Sequence, residues 1–179
     1  MGDVTEAVDD AAAEPAADPA SPTRFGALVG ESSGQAVLFA SADTYLATCQ
    51  AAFDDGFDQL IDLTAVDYLT FAGRRPLPSG VAAERFELVT QLINHQRRER
   101  IRIRTQIPAD AAEVASVFDL WPGSENLERE VYDMFGIVFT DHPDMSRVLM
   151  PETWEGHPLR KDYAIGSIPV QFKSASNQR

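Results

Sequence analysis

The sequence contains one cysteine, Cys49, among 179 residues. A single thiol cannot form an internal disulfide, and it cannot supply the several thiolates that an iron–sulfur cluster or a structural zinc site normally requires. We therefore expect an intracellular protein that holds no cluster of its own. Because Cys49 falls on the apolar stripe of a predicted helix, we interpret it as a packing residue rather than a nucleophile.

Long hydrophobic runs and basic side chains are also scarce. No apolar stretch approaches the roughly 20 residues needed to span a bilayer, and the first residues are acidic where a signal peptide is basic. Fifteen basic and 28 acidic side chains give a net charge of −13, which disfavours nucleic acid and anionic lipid as partners. We therefore expect any membrane association to depend on partner proteins.

The charge is distributed unevenly along the chain. Residues 1–22 hold six acidic residues, seven alanines, three prolines and no base, a composition too poor in large apolar residues to form a core. We interpret them as a disordered tail, which acts either as a solubilising leader or as a docking arm. The remaining composition is that of one domain. Its core is predicted over residues 23–140, followed by an extended C-terminal segment at residues 141–179.

Apolar and β-branched runs predict strands at residues 36–40, 60–69, 85–95 and 98–107, the last two forming a hairpin. One helix is predicted after an N-cap at Asp43, ended by Gly56. Its apolar stripe comprises Tyr45, Leu46, Cys49, Ala52 and Phe53. Another is predicted after Asp110 and Glu113, which have capping-box spacing, and it would carry Val114, Val117 and Phe118. These elements predict an α+β fold of a single domain, with a mixed sheet and helices packed mainly on one face.

The strand predicted at residues 98–107 alternates between apolar and basic side chains. Ile101, Ile103 and Ile107 share one face. The other face carries Arg98, Arg100, Arg102 and Arg104. This arginine face is either a solvated outer surface of the sheet or a docking site for a carboxylate-bearing partner, because guanidinium groups match carboxylates well.

The most informative segment is SENLEREVYDMFG, residues 124–136. Ser124 is a predicted N-cap and Gly136 a predicted C-cap. The apolar stripe of the helix comprises Leu127, Val131, Met134 and Phe135. Glu128 and Glu130 fall on opposite margins of this stripe, whereas Arg129 and Asp133 share the far side. Because diverging carboxylates are poorly placed for acid–base catalysis, we predict hydrogen bonds or ion pairs at a packing interface, within the chain or between chains.

Two histidines, His142 and His157, each precede a proline, which places both in extended loops. With Asp141 and Asp144 they leave open one alternative, a free-standing metal-dependent hydrolase. The sequence lacks a paired-histidine helix motif, a glycine-rich phosphate loop and a nucleophile elbow. The residues themselves therefore predict a domain without catalytic, cofactor-binding or metal-binding residues.

The strings EREVYDMFGI, DHPDMSRVLM and EGHPLRKDY follow one another between Leu127 and Tyr163. In order and spacing they closely resemble the C subunit of the proton-pumping NADH–quinone oxidoreductase, respiratory complex I. The residues that carry the resemblance, and that it implies to be signature or interface residues, are Glu128, Arg129, Glu130, Asp133, Met134, Phe135, His142, His157, Pro158, Leu159, Arg160, Lys161, Asp162 and Tyr163.

The resemblance implies a non-catalytic, cofactor-free scaffold subunit in the peripheral arm of a larger enzyme. That enzyme passes electrons from NADH through FMN and iron–sulfur centres in partner subunits to quinone, and it couples this transfer to proton translocation. The implied neighbours are chiefly the D subunit and the B subunit, on which residues 141–179 would dock, and the implied location is the cytoplasmic face of the cell membrane. A homologous subunit of a membrane-bound hydrogenase or related dehydrogenase complex is the alternative that shares these motifs.

Overall fold

The computed structural model describes residues 22–71, 73–74 and 76–164, so nearly all of the predicted tail and residues 165–179 lie outside the described part. Within that part the chain forms eight strands, two α-helices and a 3₁₀-helix at Pro122–Ser124. The strands and α-helices are β1 Thr23–Arg24, β2 Ala27–Ser32, β3 Gln35–Ser41, α1 Tyr45–Asp54, β4 Gln59–Asp67, β5 Phe86–Asn94, β6 Glu99–Ile107, β7 Glu113–Ala115, α2 Glu125–Phe135 and β8 Val138–Thr140.

The main sheet has six strands in the order β1-β2-β3-β6-β5-β4. Strands β3 and β6 pair in parallel, and the other neighbours are antiparallel. The predicted β5–β6 hairpin and the mixed sheet are therefore confirmed. A second, two-stranded sheet is formed by β7 and β8 in parallel.

One face of the sheet packs against both helices and forms the core. Ile101, Ile103 and Ile107 of β6 are at most 2% exposed, as the alternation predicts. Helix α1 contributes Tyr45 and Cys49, both fully buried in this core. The packing role of Cys49 is thus confirmed, and burial raises the pKa of its thiol well above the ordinary range.

The predicted helix after Asp110 is wrong, because Glu113–Ala115 is strand β7. The pairing with β8 decides this: the Val138 N–H donates to the Ala112 carbonyl at 2.9 Å, and the Ser116 N–H donates to the Thr140 carbonyl at 2.9 Å. Capping-box spacing is a local signal, and a partner strand more than twenty residues away overrides it.

Three smaller predictions are corrected. The N-cap of α1 is Thr44 rather than Asp43. Leu46 and Phe53 lie on the predicted buried stripe but are 41% and 36% exposed, so the buried face of α1 is narrower than the stripe. Arg98 lies in the hairpin turn at φ +54°, so the arginine face holds only the three arginines within β6. Strands β1, β2 and β8 were not predicted.

Candidate functional site

Helix α2 is the centre of the candidate site. Ser124 and Gly136 bound it as predicted, and Gly136 adopts the left-handed conformation, φ +72°. The residues after β8, 141–164, contain no helix or strand and lie along this helix; we call them the cap segment. The predicted far side of α2 at Asp133 is therefore covered, and Asp133 is fully buried.

Glu128 is a fully buried carboxylate on the side of α2 near its N-terminus. Its oxygens accept hydrogen bonds from the Ser116 hydroxyl at 2.6 Å, the Ser124 hydroxyl at 3.0 Å and the Val117 N–H at 2.9 Å. Burial raises the pKa of Glu128 although these three donors act in the opposite direction. Glu128 therefore ties α2 to the turn that follows β7, as an internal hydrogen-bonding residue.

Asp133 is the second fully buried carboxylate and binds the cap segment. The N–H groups of Val148, Leu149 and Met150 donate to its Oδ2 at 3.2, 2.8 and 2.8 Å, and Arg147 Nη1 donates to Oδ1 at 2.5 Å. Burial alone would raise the pKa of Asp133, but the donors from Met150, Arg147 and their neighbours outweigh it, and the pKa is lowered. Asp133 is thus an ionised carboxylate enclosed by four donors.

The later part of the cap segment closes the C-terminus of α2, where helix carbonyls lack partners of their own. His157 Nδ1 donates to the Asp133 carbonyl at 3.0 Å, and the Leu159 N–H donates to the Met134 carbonyl at 3.0 Å. Arg160 donates to the carbonyls of Phe135 and Gly136. A Cβ at Gly136 would lie 2.5 Å from His157 Nε2 and 2.6 Å from Arg160 Nη2, so only glycine leaves room for this arrangement.

A separate group anchors the cap segment to the sheet. Asp67, at the end of β4, is buried and accepts bonds from Arg85 at 2.8 and 3.1 Å and from the Lys161 N–H at 2.9 Å. Arg85 also donates to Asp162 at 2.7 Å. Burial acts to raise the pKa of Asp67, but the bonds from Arg85 and Lys161 hold it below its ordinary value. The ion pair therefore joins the end of β4, the residue that precedes β5, and the cap segment.

The remaining predicted site residues occupy different positions. Arg129 donates to the Ser146 carbonyl at 3.1 Å and to the Ser146 hydroxyl at 2.8 Å, at the start of the cap segment. Glu130 is exposed on α2. Pro158 and Tyr163 are half-buried in the cap segment. Sequence reasoning missed three residues that hold the cap segment: Asp67, Arg85 and Arg147. No spacing in the sequence links Arg147 to Asp133 of α2, or Asp67 and Arg85 to the cap segment.

The metal-site alternative is not supported by the described part of the chain, which holds no group of three or more His, Cys, Asp or Glu residues able to bind a metal ion. The two histidines contact different ends of α2: His142 Nε2 donates to the Glu125 carbonyl at 3.2 Å, whereas His157 bonds to the carbonyl of Asp133. Among the described residues, no helix has both the length and the apolar character required to cross a bilayer.

The cap segment leaves apolar side chains on the surface. Val148, Leu149 and Leu159 are 39%, 55% and 48% exposed; we call them the apolar cap surface. Their backbone is held rigidly, because the N–H groups of Val148 and Leu149 bind the Asp133 carboxylate and that of Leu159 binds the Met134 carbonyl. A contiguous patch of exposed apolar side chains is typical of a protein–protein contact surface.

Fold and site together define a class of protein: an α+β domain whose second helix is capped by the chain's own C-terminal segment. The family described as "Respiratory-chain NADH dehydrogenase, 30 Kd subunit" matches residues 38–168. The chain belongs to this family.

Individual relatives agree with this assignment. The chain is 47% identical over 116 residues to the C subunit of the NADH-quinone oxidoreductase of a Roseiflexus species, covering 65% of this chain and 60% of the relative. It is 42% identical over 123 residues to the corresponding subunit of Thermus thermophilus, covering 66% of this chain and 56% of the relative. The chain thus spans less than two thirds of the length of these relatives.

A solved structure is also similar. The trypsin-resistant fragment of Nqo5 superposes with a TM-score of 0.58 at 31% sequence identity, covering 66% of this chain and 89% of that fragment. The predicted family resemblance and the α+β fold are therefore confirmed.

Proposed function

We propose that this chain is a non-catalytic scaffold subunit of a proton-pumping NADH–quinone oxidoreductase, in the peripheral arm. Family membership and the names of the relatives support this proposal. In it, FMN and iron–sulfur centres of partner subunits carry the electrons to quinone, and this chain binds no cofactor. Association with the cytoplasmic face of the cell membrane is then peripheral and passes through the partners.

The observation that carries the scaffold role is the construction of the cap segment. Two buried carboxylates of the folded domain, Asp133 and Asp67, hold this segment, and the carbonyls at the C-terminus of α2 accept hydrogen bonds from it. Groups held in this way are not free for acid–base chemistry. They fix the backbone that displays the apolar cap surface.

We further propose that the apolar cap surface contacts a neighbouring subunit, chiefly the D subunit or the B subunit. Subunit interfaces have an apolar centre with a polar rim. Glu130 on α2 is exposed and Asp162 in the cap segment is half-exposed, and in this proposal both belong to the polar rim. The docking of residues 141–179 on partners, and the interface role of Glu130, remain predictions in this proposal.

Purification of the assembled enzyme through an affinity tag on this chain tests both statements. We expect the tagged chain to bring down cluster-bearing and membrane subunits with NADH–quinone reductase activity; recovery of the chain alone would refute membership of the complex. The double variant Leu149→Ser, Leu159→Ser should unfold at the same denaturant concentration as the unmodified chain but recover fewer partner subunits.

The matched control is Leu46→Ser, because Leu46 is exposed to a similar degree but lies on α1. Equal recovery of partners by the double variant and by this control would refute the contact surface while leaving the family assignment intact.

A further inference from the structure

A groove of about 680 Å³ lies on the face of the main sheet opposite the helices; we call it the outer groove. Val37, Phe39, Val89, Arg102 and Arg104 form part of its floor, and the loop after β4 forms one wall. Phe71 in that wall is 58% exposed. The groove is therefore lined by apolar groups and by arginines of the predicted arginine face, and none of the contacts of the candidate site uses it.

The arginines of the outer groove are not equally satisfied. Glu87 is 2% exposed and accepts bonds from Arg104 at 2.7 and 2.8 Å and from Arg74 at 3.3 Å. The buried Nε atoms of Arg74 and Arg102 both lack a hydrogen-bond partner within the described residues. Arg102 differs from Arg74 and Arg104 because, in that part of the chain, no carboxylate pairs with its guanidinium. Guanidinium donors at such a site normally bind an acceptor, most strongly a carboxylate.

The chain enters the described region at the rim of this groove. The Pro22 carbonyl accepts a bond from the Val29 N–H at 2.8 Å, and the next residue of β2, Gly30, lines the groove. Pro22 directly precedes β1, and Arg102 lies on β6, three strands from β1, a separation of roughly 14 Å. Asp18 precedes Pro22 by four residues; an extended chain of that length spans about 13 Å, and the side chains of Asp18 and Arg102 bridge the remaining distance. Residues immediately before Pro22 can therefore reach Arg102.

We propose that the outer groove binds the acidic segment at residues 1–21 of the same chain, with the Asp18 carboxylate on the guanidinium of Arg102. Charge complementarity favours this occupant, because the segment holds six acids and no base. The described lining holds three arginines and two carboxylates, Glu31 and Glu87, and Glu87 is already neutralised by two of the arginines. Its alanines and prolines can cover the apolar lining. Covalent attachment supplies a local concentration in the millimolar range, so that a weak contact suffices.

A zero-length cross-link on the whole chain tests this proposal, which does not depend on the proposed function. The variant Arg102→Lys places an amine in the groove, where a carbodiimide joins it to any carboxylate in direct contact. The matched control is Arg100→Lys, which puts an amine on the same face of β6 but outside the groove lining. Both variants are first shown to unfold at the same denaturant concentration as the unmodified chain.

We expect mass spectrometry to find an intramolecular cross-link to Asp18 in the Arg102→Lys variant, with a yield at least several-fold above the control. Asp18→Asn in the same background should remove it. In 1 M salt the yield should fall, since charges are then screened beyond roughly 3 Å. Equal yields in both variants would overturn the proposal. So would a cross-link between two chains, or a cross-link only to a partner subunit in the assembled enzyme, because the groove would then bind another occupant.

Discussion

Replacement of Asp133 by asparagine tests the central contact of the site. The side chain keeps its size but loses its charge, so Arg147 loses an ion pair at 2.5 Å in which the carboxylate is fully buried and the guanidinium side chain is 14% exposed. The amide nitrogen of asparagine would also face backbone N–H donors, three of which now point at Oδ2. Removal of one partner from a buried ion pair costs about 3–5 kcal/mol.

That cost should appear first as release of the cap segment. A loss of about 3 kcal/mol corresponds to a change of roughly a hundredfold in the equilibrium between closed and open segment, since every 1.4 kcal/mol is a factor of ten. Amide hydrogens of Val148, Leu149 and Met150 should therefore exchange about a hundredfold faster in Asp133→Asn than in the unmodified chain. Hydrogen–deuterium exchange with mass spectrometry measures this directly.

The sign of the pH dependence follows from the lowered pKa of Asp133. Its carboxylate contributes its full stabilisation above the unfolded-chain pKa, about 3.9, and loses it as the pH falls through the lower folded-state pKa. The difference in free energy of unfolding between the unmodified chain and Asp133→Asn should therefore be constant near neutrality and shrink in acid.

The control for this experiment is Glu130→Gln, on the same helix but exposed. It should leave the amide exchange rates of the cap segment unchanged and should alter the free energy of unfolding by no more than about 0.5 kcal/mol. If Asp133→Asn exchanged at the rate of this control, the proposed role of Asp133 in holding the cap segment would be wrong.

Two further substitutions probe the two ends of α2. Gly136→Ala should lower the melting temperature in thermal denaturation, because the backbone is left-handed and the new Cβ would meet His157 and Arg160; an unchanged melting temperature would contradict the packed cap. Glu128→Gln should show the opposite pH trend to Asp133→Asn. The pKa of Glu128 is raised by burial, so its contribution is present below the ordinary glutamate pKa and declines as the pH rises towards the folded value. Urea titrations at several pH values measure the free energy of unfolding of both chains. If the unmodified chain became more stable relative to Glu128→Gln as the pH rose, this prediction would be refuted.

Helix α2 could be predicted closely because its signals are local. Ser124 and Gly136 bound it, and the periodicity of its apolar residues indicates which side faces the core. The position of Asp133 could not be predicted in this way. A helical wheel places it away from the apolar stripe, but the carboxylate is buried by residues fourteen to seventeen positions further along the chain.

In the cap segment, too, the sequence predicts local structure but not the contacts with distant residues. Its prolines and lack of periodicity predicted an extended segment; residues 141–164 contain no helix or strand, but they include several turns. No spacing in the sequence predicts its contact with Asp67 at the end of β4, because the Lys161 N–H and the Asp67 carboxylate are 94 residues apart in sequence. Likewise, local spacing predicts a helix where β7 forms, because the strand that pairs with β7, β8, follows it by more than twenty residues.

By itself the sequence determined the α+β class, the hairpin, the limits of α2 and the family, all of which depend on periodicity, on capping residues or on ordered strings of residues. Only the tertiary structure decided which charged side chains are buried and which remain exposed. Glu128 and Glu130 are two positions apart on one helix, and one is enclosed by hydroxyl and backbone donors while the other is open to solvent. The physical reason is that burial of a charge depends on donors brought from distant parts of the chain, and only folding assembles them.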